Sequence, residues 1–198
     1  MPNLADVVFY SIFWYENDIT VRGCAYLFPL SRLVIGELYP FVNIPSPEMY
    51  EYCMNVLRGS GEKTDLVIGG GACPFANVTV LDLGVYPRLK SLRIGNNGFE
   101  FVDRLRLIGL NELESVEIGM NSFTKEEYES DPNRHFYLKN CPKLKSLKIG
   151  RYSFSDYKVI EIENVDGLEV IEMGNVNEWS HNFYGASLEL KSILIQSE

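Results

Sequence analysis

The chain has 198 residues, and its 46% hydrophobic and 23% charged content is typical of a folded domain rather than of a disordered segment. Its formal net charge of -9 argues against non-specific nucleic-acid binding, which requires a basic surface. With only two histidines, a zinc site of familiar spacing and a Ser-His-Asp triad are both disfavoured.

The four cysteines are far apart and form no CxxC pair: Cys24, Cys53, Cys73 and Cys141. We expect them to be buried, reduced thiols, since a chain of this length does not need a disulfide framework. The apolar run at residues 7 to 15 lacks a basic flank and is too short to span a bilayer. Together these features predict a cytoplasmic protein with no membrane association.

Residues 1 to 29 contain two strand-like runs and are predicted to cap a repeat region that covers residues 30 to 198. A helix is predicted within that region at about residues 46 to 58, because Pro47 can occupy its first position and Gly59 can end it. We expect this helix to pack against the repeats. The residues that share its apolar face are Tyr50, Cys53, Met54 and Leu57.

A repeated heptamer decides the architecture of the region. It ends in glycine and reads LKSLRIG at 89 to 95, LESVEIG at 113 to 119, LKSLKIG at 144 to 150 and LEVIEMG at 168 to 174. Looser copies end at Gly36 and Gly69, and a final copy, LKSILIQ, occupies residues 190 to 196. Positions 1, 4 and 6 are apolar, which predicts a short strand that buries one face against stacked copies.

Two units extend to an asparagine and a phenylalanine, LKSLRIGNNGF at 89 to 99 and LESVEIGMNSF at 113 to 123. Both follow LxxLxLxxNxL with conservative replacements, and from about residue 30 to 198 the chain resembles the leucine-rich repeat family. The asparagine position holds Asn97 and Asn121, then Tyr152 and Val176. The resemblance implies a solenoid with parallel inner strands and a role in protein–protein interaction.

Each unit also contains a second alternating segment on the opposite side of the predicted solenoid. Its apolar pairs are Leu81 and Leu83, Leu105 and Leu107, Phe136 and Leu138, and Ile160 and Ile162. The predicted fold is therefore a mainly β repeat solenoid of leucine-rich-repeat type with few helices. A parallel β-helix, which stacks strands at a similar period, is the alternative.

The heptamers invert their charges from copy to copy. Position 5 holds Arg93, Glu117, Lys148 and Glu172 in turn, and position 2 holds Lys90, Glu114, Lys145, Glu169 and Lys191. Parallel strands lie about 4.8 Å apart, so each charge is predicted to have opposite charges on both neighbouring strands. The true repeat is a double unit, because Leu89 to Leu144 and Leu113 to Leu168 are both 55 residues apart.

The candidate partner-binding residues are the four position-5 charges and Tyr128. Tyr128 belongs to a charged insertion at residues 124 to 135, which is predicted to form a solvated loop and to be the element most open to partner-specific contacts. A protein partner of unknown identity is expected, with no cofactor, no metal and no nucleic acid.

The sequence contains only weak matches to nucleotide-binding, glycosylation and catalytic motifs. RGSGEKT at 58 to 64 fails the phosphate-loop spacing, since Glu62 separates Gly61 from Lys63. The single sequon, Asn77-Val78-Thr79, falls in a strand-like stretch and carries little weight by its sequence alone. Glu117 and Glu172 are a candidate carboxylate pair for glycoside hydrolysis, since the strand spacing would place them roughly 9–10 Å apart. Lys148 between them would keep both carboxylates ionised, whereas a general acid must be protonated.

We therefore expect a non-enzymatic protein–protein interaction module. A structural segment of a longer repeat array is the second hypothesis, and a carbohydrate-acting β-helix protein is the third.

Overall fold

The computed structural model describes residues 47–59, 61–125, 131–174 and 179–191. The predicted cap at residues 1 to 29, the copy that ends at Gly36, and Tyr128 lie outside these ranges.

Two parallel sheets form the body of the described molecule. The first sheet has the strand order β1-β3-β5-β7-β9, and its strands are β1 Asp65–Ile68, β3 Ser91–Ile94, β5 Ser115–Ile118, β7 Ser146–Ile149 and β9 Val170–Met173. The second sheet has the order β10-β8-β6-β4-β2, with β2 Val80–Asp82, β4 Arg104–Ile108, β6 Asp131–Lys139, β8 Tyr157–Glu163 and β10 Ser187–Lys191. One helix, α1, spans Pro47–Arg58.

The strands alternate between the sheets along the chain, so each first-sheet strand and the second-sheet strand after it form one coil. The coils are numbered here from coil 1 (β1 and β2) to coil 5 (β9 and β10). Every pairing within both sheets is parallel. The predicted mainly β repeat solenoid is thus confirmed, and the same arrangement is compatible with the parallel β-helix alternative.

The core lies between the sheets, where the predicted apolar positions meet. The middle strands of the first sheet alternate buried and outward residues, as Leu92 and Ile94 of β3 are buried while Arg93 is exposed. All eight predicted apolar residues of the second segments are buried, although Leu83 lies in a 3₁₀ turn rather than in β2. The alternation thus correctly predicted both faces of the core.

A column of phenylalanine rings connects the coils. Phe99, Phe123, Phe154 and Phe183 are buried and stack with centroid separations of 5.2, 4.8 and 5.0 Å. In coil 1 Cys73 stands at the equivalent position, because Phe99 N donates to Ala72 O just as Phe123 N donates to Gly98 O in the next coil. Near-parallel rings at this spacing give an offset stack that stabilises coil packing beyond area burial.

The glycines that end the three middle heptamers, Gly95, Gly119 and Gly150, are required by close contact between coils. A Cβ built on Gly150 would lie 2.6 Å from Gly119 C and Met120 N, and one built on Gly95 would lie 2.5 Å from Gly70 N. Backbone atoms at these distances leave no room for a side chain. The glycine column therefore allows successive coils to turn directly over one another.

The turns after the first-sheet strands show which residues are equivalent to Asn97 and Asn121. Asn97, Asn121, Tyr152 and His181 all have positive φ, between 44° and 60°, and the first two are exposed. Tyr152 N donates to Ser180 O as Asn121 N donates to Arg151 O, so His181, not the predicted Val176, continues the column. Asparagine suits this conformation because its short side chain tolerates the left-handed region.

The polar side chains one residue later, which are buried in Ser122 and Ser153 and partly buried in Asn182, connect the coils instead. Ser122 Oγ donates to Gly95 O at 2.7 Å, Ser153 Oγ to Gly119 O at 2.5 Å, and Asn182 Nδ2 to Gly150 O at 2.7 Å. Each bond satisfies the carbonyl of a heptamer glycine in the preceding coil. A buried carbonyl left without a donor would destabilise the turn.

Helix α1 begins and ends as predicted and packs on coil 1. Gly59 follows it with φ 76°, and Cys53 and Val56 are buried in the core. Tyr86 Oη donates to Val56 O at 2.7 Å. Tyr50, predicted on the buried face, is instead exposed and contacts Phe75 edge-on at 5.1 Å between ring centroids.

A disulfide joins α1 to coil 1, between Cys53 and Cys73, whose Cα atoms are 5.3 Å apart. The prediction of reduced thiols is wrong for this pair, because the helix folds back over the turn that contains Cys73. It is confirmed for Cys141, which is free and buried, and Cys24 lies outside the described residues.

The first two residues of the final heptamer lie in the second sheet, and residues 192 to 196 lie outside the described residues. Leu190 and Lys191 pair with Ile162 and Glu163 at the end of β10, so they belong to the second sheet. Lys191 therefore does not continue the position-2 column, and its ammonium pairs with Glu189 at 2.6 Å.

Candidate functional site

The four predicted position-5 charges form one column on the outer face of the first sheet. Arg93 pairs with Glu117, Glu117 with Lys148, and Lys148 with Glu172 in the strand register. All four side chains are at least half exposed. The predicted alternation of charge across neighbouring strands is therefore present in the structure.

Two ion pairs form in the described part of this column, one between coils 2 and 3 and one between coils 4 and 5. Arg93 Nη2 lies 2.7 Å from Glu117 Oε2, and Lys148 Nζ lies 2.9 Å from Glu172 Oε2. Among the described residues no ion pair joins Glu117 to Lys148 within 4.0 Å. Each exposed pair contributes roughly 0.2–1 kcal/mol, so the column favours correct register more than it adds stability.

The position-2 residues line up beside this column at the starts of the strands. Glu114 N donates to Lys90 O, Lys145 N to Glu114 O, and Glu169 N to Lys145 O, at 2.8 to 2.9 Å. Their side chains are exposed. The outer face of the first sheet thus consists of charged residues beside a column of small serines, Ser91, Ser115 and Ser146.

The predicted loop at residues 124 to 135 is only partly a loop. Strand β6 begins at Asp131, so residues 131 to 135 pair with neighbouring strands through a bulge. Arg134 is 1% exposed, and its Nη1 lies 2.5 Å from Asp156 Oδ2. Arg134 is thus built into the solenoid, whereas Lys125, Pro132 and Asn133 of the same insertion are exposed.

An aromatic cluster that the sequence did not predict lies at the turns after the first-sheet strands. We name the row of these turns, residues 95–100, 119–125, 150–156 and 179–185, the turn edge. At its C-terminal part the rings of Tyr152, Trp179 and Tyr184 lie 5.8 to 5.9 Å from the His181 ring, between centroids. The Arg151 guanidinium lies 5.5 Å from the Tyr152 ring centroid.

The cluster is open to solvent. Trp179 is 81% exposed and Tyr184 is 50% exposed. In coils 2 and 3 the equivalents of Tyr152 are Asn97 and Asn121, which border a shallow groove of about 230 Å³ with Glu100, Thr124 and Lys125. The turn edge therefore changes from polar to aromatic towards coil 5. One sequence feature could have indicated this cluster. At the positions equivalent to Asn97 and Asn121, coils 4 and 5 have the aromatic residues Tyr152 and His181.

Coil 5 exposes residues that are core residues elsewhere. Ile171 is 41% exposed, whereas its register partner Leu147 is fully buried. Met173 and Leu188 of the same coil are also exposed. Strand β9 is the edge of the first sheet within the described residues, so its apolar side chains face no further coil there.

A smaller charge cluster lies on the outer face of the second sheet. Lys139 Nζ lies 2.5 Å from Glu161 Oε2 and 3.3 Å from Glu163 Oε2. The hydrogen bond that Lys139 donates to the Glu161 carboxylate raises the pKa of Lys139 above its ordinary value. The ammonium thus stays charged between two carboxylates, an arrangement that links coils 3 and 4.

In the parts of the chain that the structure describes, no group of His, Cys, Asp and Glu side chains could hold a metal ion. No helix in those parts has the length and apolar character to cross a membrane. Comparison with family models, with curated proteins and with solved structures gives no match.

Proposed function

We propose that this protein is a non-enzymatic protein–protein interaction module that binds a protein partner through the C-terminal part of its turn edge. The carrying observation is the exposed cluster of Trp179, Tyr184, Tyr152 and His181 beside Arg151. Tryptophan, tyrosine and arginine are the residue types that most often dominate binding energy at protein interfaces. The leucine-rich-repeat assignment and the non-enzymatic character remain predictions.

The charge of the chain favours a basic partner. The position-5 charges largely neutralise each other, whereas the whole chain carries a net charge of -9. This excess would attract a positively charged protein and speed the encounter, while the aromatic cluster would supply the desolvated contacts. The predicted contacts Arg93, Glu117, Lys148 and Glu172 on the outer face of the first sheet would then contribute at the border of the interface, and Tyr128 remains an untested candidate.

The test is a quantitative capture experiment with the full chain in extracts of its own cells, followed by affinity measurement on the purified partner. The double variant Trp179→Ala/Tyr184→Ala removes the exposed rings. We expect at least roughly 30-fold weaker binding, which corresponds to about 2 kcal/mol for a hot spot. Val85→Ala, at an exposed apolar residue near α1, is the matched control and should bind like the parent chain.

A second variant separates the two faces. Arg93→Glu/Lys148→Glu reverses the cationic positions of the first sheet without touching the turn edge. If this variant loses the partner while Trp179→Ala/Tyr184→Ala retains it, the interface lies on the outer face of the first sheet. If both variants bind like the parent chain, the proposed docking function is wrong for both surfaces.

The uncovered coil 5 favours a second candidate function, a structural segment of a longer repeat array. A further coil would bury Ile171, Met173 and Leu188 as coil 4 buries the equivalent residues of coil 3. The intact mass of the protein in its source cell, together with the adjoining coding sequence, tests this proposal. Continuation of the 55-residue double unit would support it, and a natural chain of 198 residues would contradict it.

The cytoplasmic location predicted from the sequence is not part of this proposal. It was based partly on unpaired cysteines, and that premise does not hold for Cys53 and Cys73.

A further inference from the structure

The Asn77-Val78-Thr79 sequon lies in an exposed turn rather than within a strand. Val78 N donates to Phe75 O at 2.9 Å and closes a turn that has Ala76 and Asn77 at its corner. Asn77 and Thr79 are exposed, whereas Val78 between them is buried and anchors the turn. Strand β2 begins only at Val80. Both side chains that define the sequon are therefore on the surface of the folded protein.

The surroundings of Asn77 leave it available for modification. Within the described residues no hydrogen bond or ion pair of the Asn77 side chain is found. The equivalent residues in coils 2 and 4 are Phe101 and Asp156, as the matching turn bonds from Val102 N to Phe99 O and from Tyr157 N to Phe154 O show. Those two residues are partly or wholly buried, whereas Gly185, the equivalent residue in coil 5, is exposed like Asn77.

The disulfide is a second, independent observation that indicates the same environment. Cys53 and Cys73 are fully buried and bonded to each other. Cys73 lies four residues before Asn77 in the sequence. Disulfides form and persist in oxidising compartments such as the secretory pathway and are rare in the cytosol. N-linked glycans are added to surface loops of chains that enter that same pathway.

We propose that Asn77 carries an N-linked glycan and that the protein matures in an oxidising secretory compartment. The Asn77 amide nitrogen forms a bond to the anomeric carbon of an oligosaccharide, and the bond from that carbon to the pyrophosphate of a lipid-linked donor breaks. The amide loses one proton and the lipid pyrophosphate is the leaving group. Cys53 and Cys73 give two electrons and two protons to a disulfide-bearing oxidant by thiol–disulfide exchange.

The glycan is compatible with partner binding but does not depend on it. Asn77 lies in coil 1, whereas the aromatic cluster lies in coils 4 and 5, roughly 15–20 Å away along the solenoid at one strand spacing per coil. A bulky, hydrophilic chain at coil 1 would keep that end of the solenoid solvated and leave the opposite end accessible. Failure of the docking proposal would leave this inference unaffected.

Mass spectrometry of the full chain purified from its own cells tests the proposal. Digestion without reduction should yield a linked pair of peptides that contain Cys53 and Cys73. The peptide that contains residue 77 should carry a glycan, and peptide-N-glycosidase should convert Asn77 to aspartate. An unmodified Asn77 in the natural protein would overturn the proposal, whether or not the disulfide has formed.

Two substitutions at Thr79 form a matched pair in the same cells. Thr79→Ser keeps the sequon and should keep most of the glycan, whereas Thr79→Ala and Asn77→Gln should lose it completely and migrate faster on a gel. Because both positions are exposed, Thr79→Ala and Asn77→Gln should unfold at the same urea concentration as the enzymatically deglycosylated parent, and Thr79→Ser at the same urea concentration as the untreated parent. A glycan signal that persists in Thr79→Ala would place the modification elsewhere and contradict the assignment to Asn77.

Discussion

At the scale of single residues, Arg134 joins three coils. Its Nη2 donates to Glu100 O and Val102 O of coil 2 and to Phe123 O of coil 3, at 2.7 to 3.3 Å. Its Nη1 pairs with Asp156 of coil 4. A buried cation with this many acceptors is tolerated because nearly all of its hydration is replaced by hydrogen bonds.

Removal of Arg134 alone should be strongly destabilising. Arg134→Met leaves the Asp156 carboxylate buried without its counter-charge, and we expect a loss of about 3–5 kcal/mol in the free energy of unfolding. Urea denaturation measures this loss. The double variant Arg134→Met/Asp156→Leu should recover part of it, because no buried charge then remains. A double variant less stable than Arg134→Met would show that the pair itself is strongly stabilising.

The docking of α1 should depend on alkaline pH through Tyr86. Burial raises the pKa of Tyr86 to about 12, from an ordinary value of 10.0. The neutral phenol is favoured in the folded state, so its contribution to stability is complete below pH 10 and is lost as the pH rises towards 12. Stability measured by urea denaturation should therefore decrease over this window. Tyr86→Phe should show a shallower decrease, since it cannot ionise.

The residue scale also shows where sequence reasoning fails. Arg134 lies in a run of charged and polar residues, which is ordinarily the composition of a solvated loop. Its burial depends on carbonyls of coils 2 and 3 and on Asp156, none of which is near it in the sequence. The disulfide between Cys53 and Cys73 could not be predicted for the same reason, because it depends on how α1 folds back over coil 1. Periodicity cannot report such contacts between non-repeating segments.

At the scale of strands, the repeat predicted the structure well. The heptamers correctly placed β3, β5, β7 and β9, because three apolar positions and a glycine recur together in each. The register followed from the same alignment, and so did the column of alternating charges. The assignment failed at β10, where LKSILIQ copies the letters of a first-sheet heptamer but its first two residues pair in the second sheet. A pattern of seven residues cannot show the length of the preceding turn.

The charge column predicts a specific electrostatic response. Glu117→Lys would place a cation between Arg93 and Lys148, and we expect a loss of about 1 kcal/mol at low salt that shrinks as salt is added. Urea denaturation at two ionic strengths measures the effect. The matched control inverts all four positions, with Arg93→Glu, Glu117→Lys, Lys148→Glu and Glu172→Lys. This inverted column should be as stable as the parent; equal destabilisation of both variants would contradict an electrostatic origin.

At the scale of the whole molecule, the two described ends of the solenoid differ. Coil 1 is covered by α1, which buries Cys53 and Val56 and is tied down by the disulfide. Coil 5 leaves the apolar residues of β9 exposed. A solenoid needs each end covered or polar to remain soluble, so coil 5 is the place where a further coil or another molecule would gain most from contact.

This difference gives matched substitutions at equivalent positions. Ile171→Lys in coil 5 should change the free energy of unfolding by no more than about 0.5 kcal/mol, because the residue is 41% exposed and a lysine ammonium there can reach water. Leu147→Lys, its register partner in coil 4, should cost more than about 4 kcal/mol by burying an unpaired charge. Thermal or urea denaturation separates the two. Similar destabilisation by both would show that coil 5 is covered in solution.

The alternating charges also impose a parity rule on the length of the solenoid. Loss or duplication of a single coil would bring equal charges next to each other, as when Arg93 becomes the neighbour of Lys148. Loss or duplication of two coils preserves every opposite pair. Natural length variants of this protein should therefore differ by an even number of coils, and an odd change should be accompanied by charge reversals on one side of the junction.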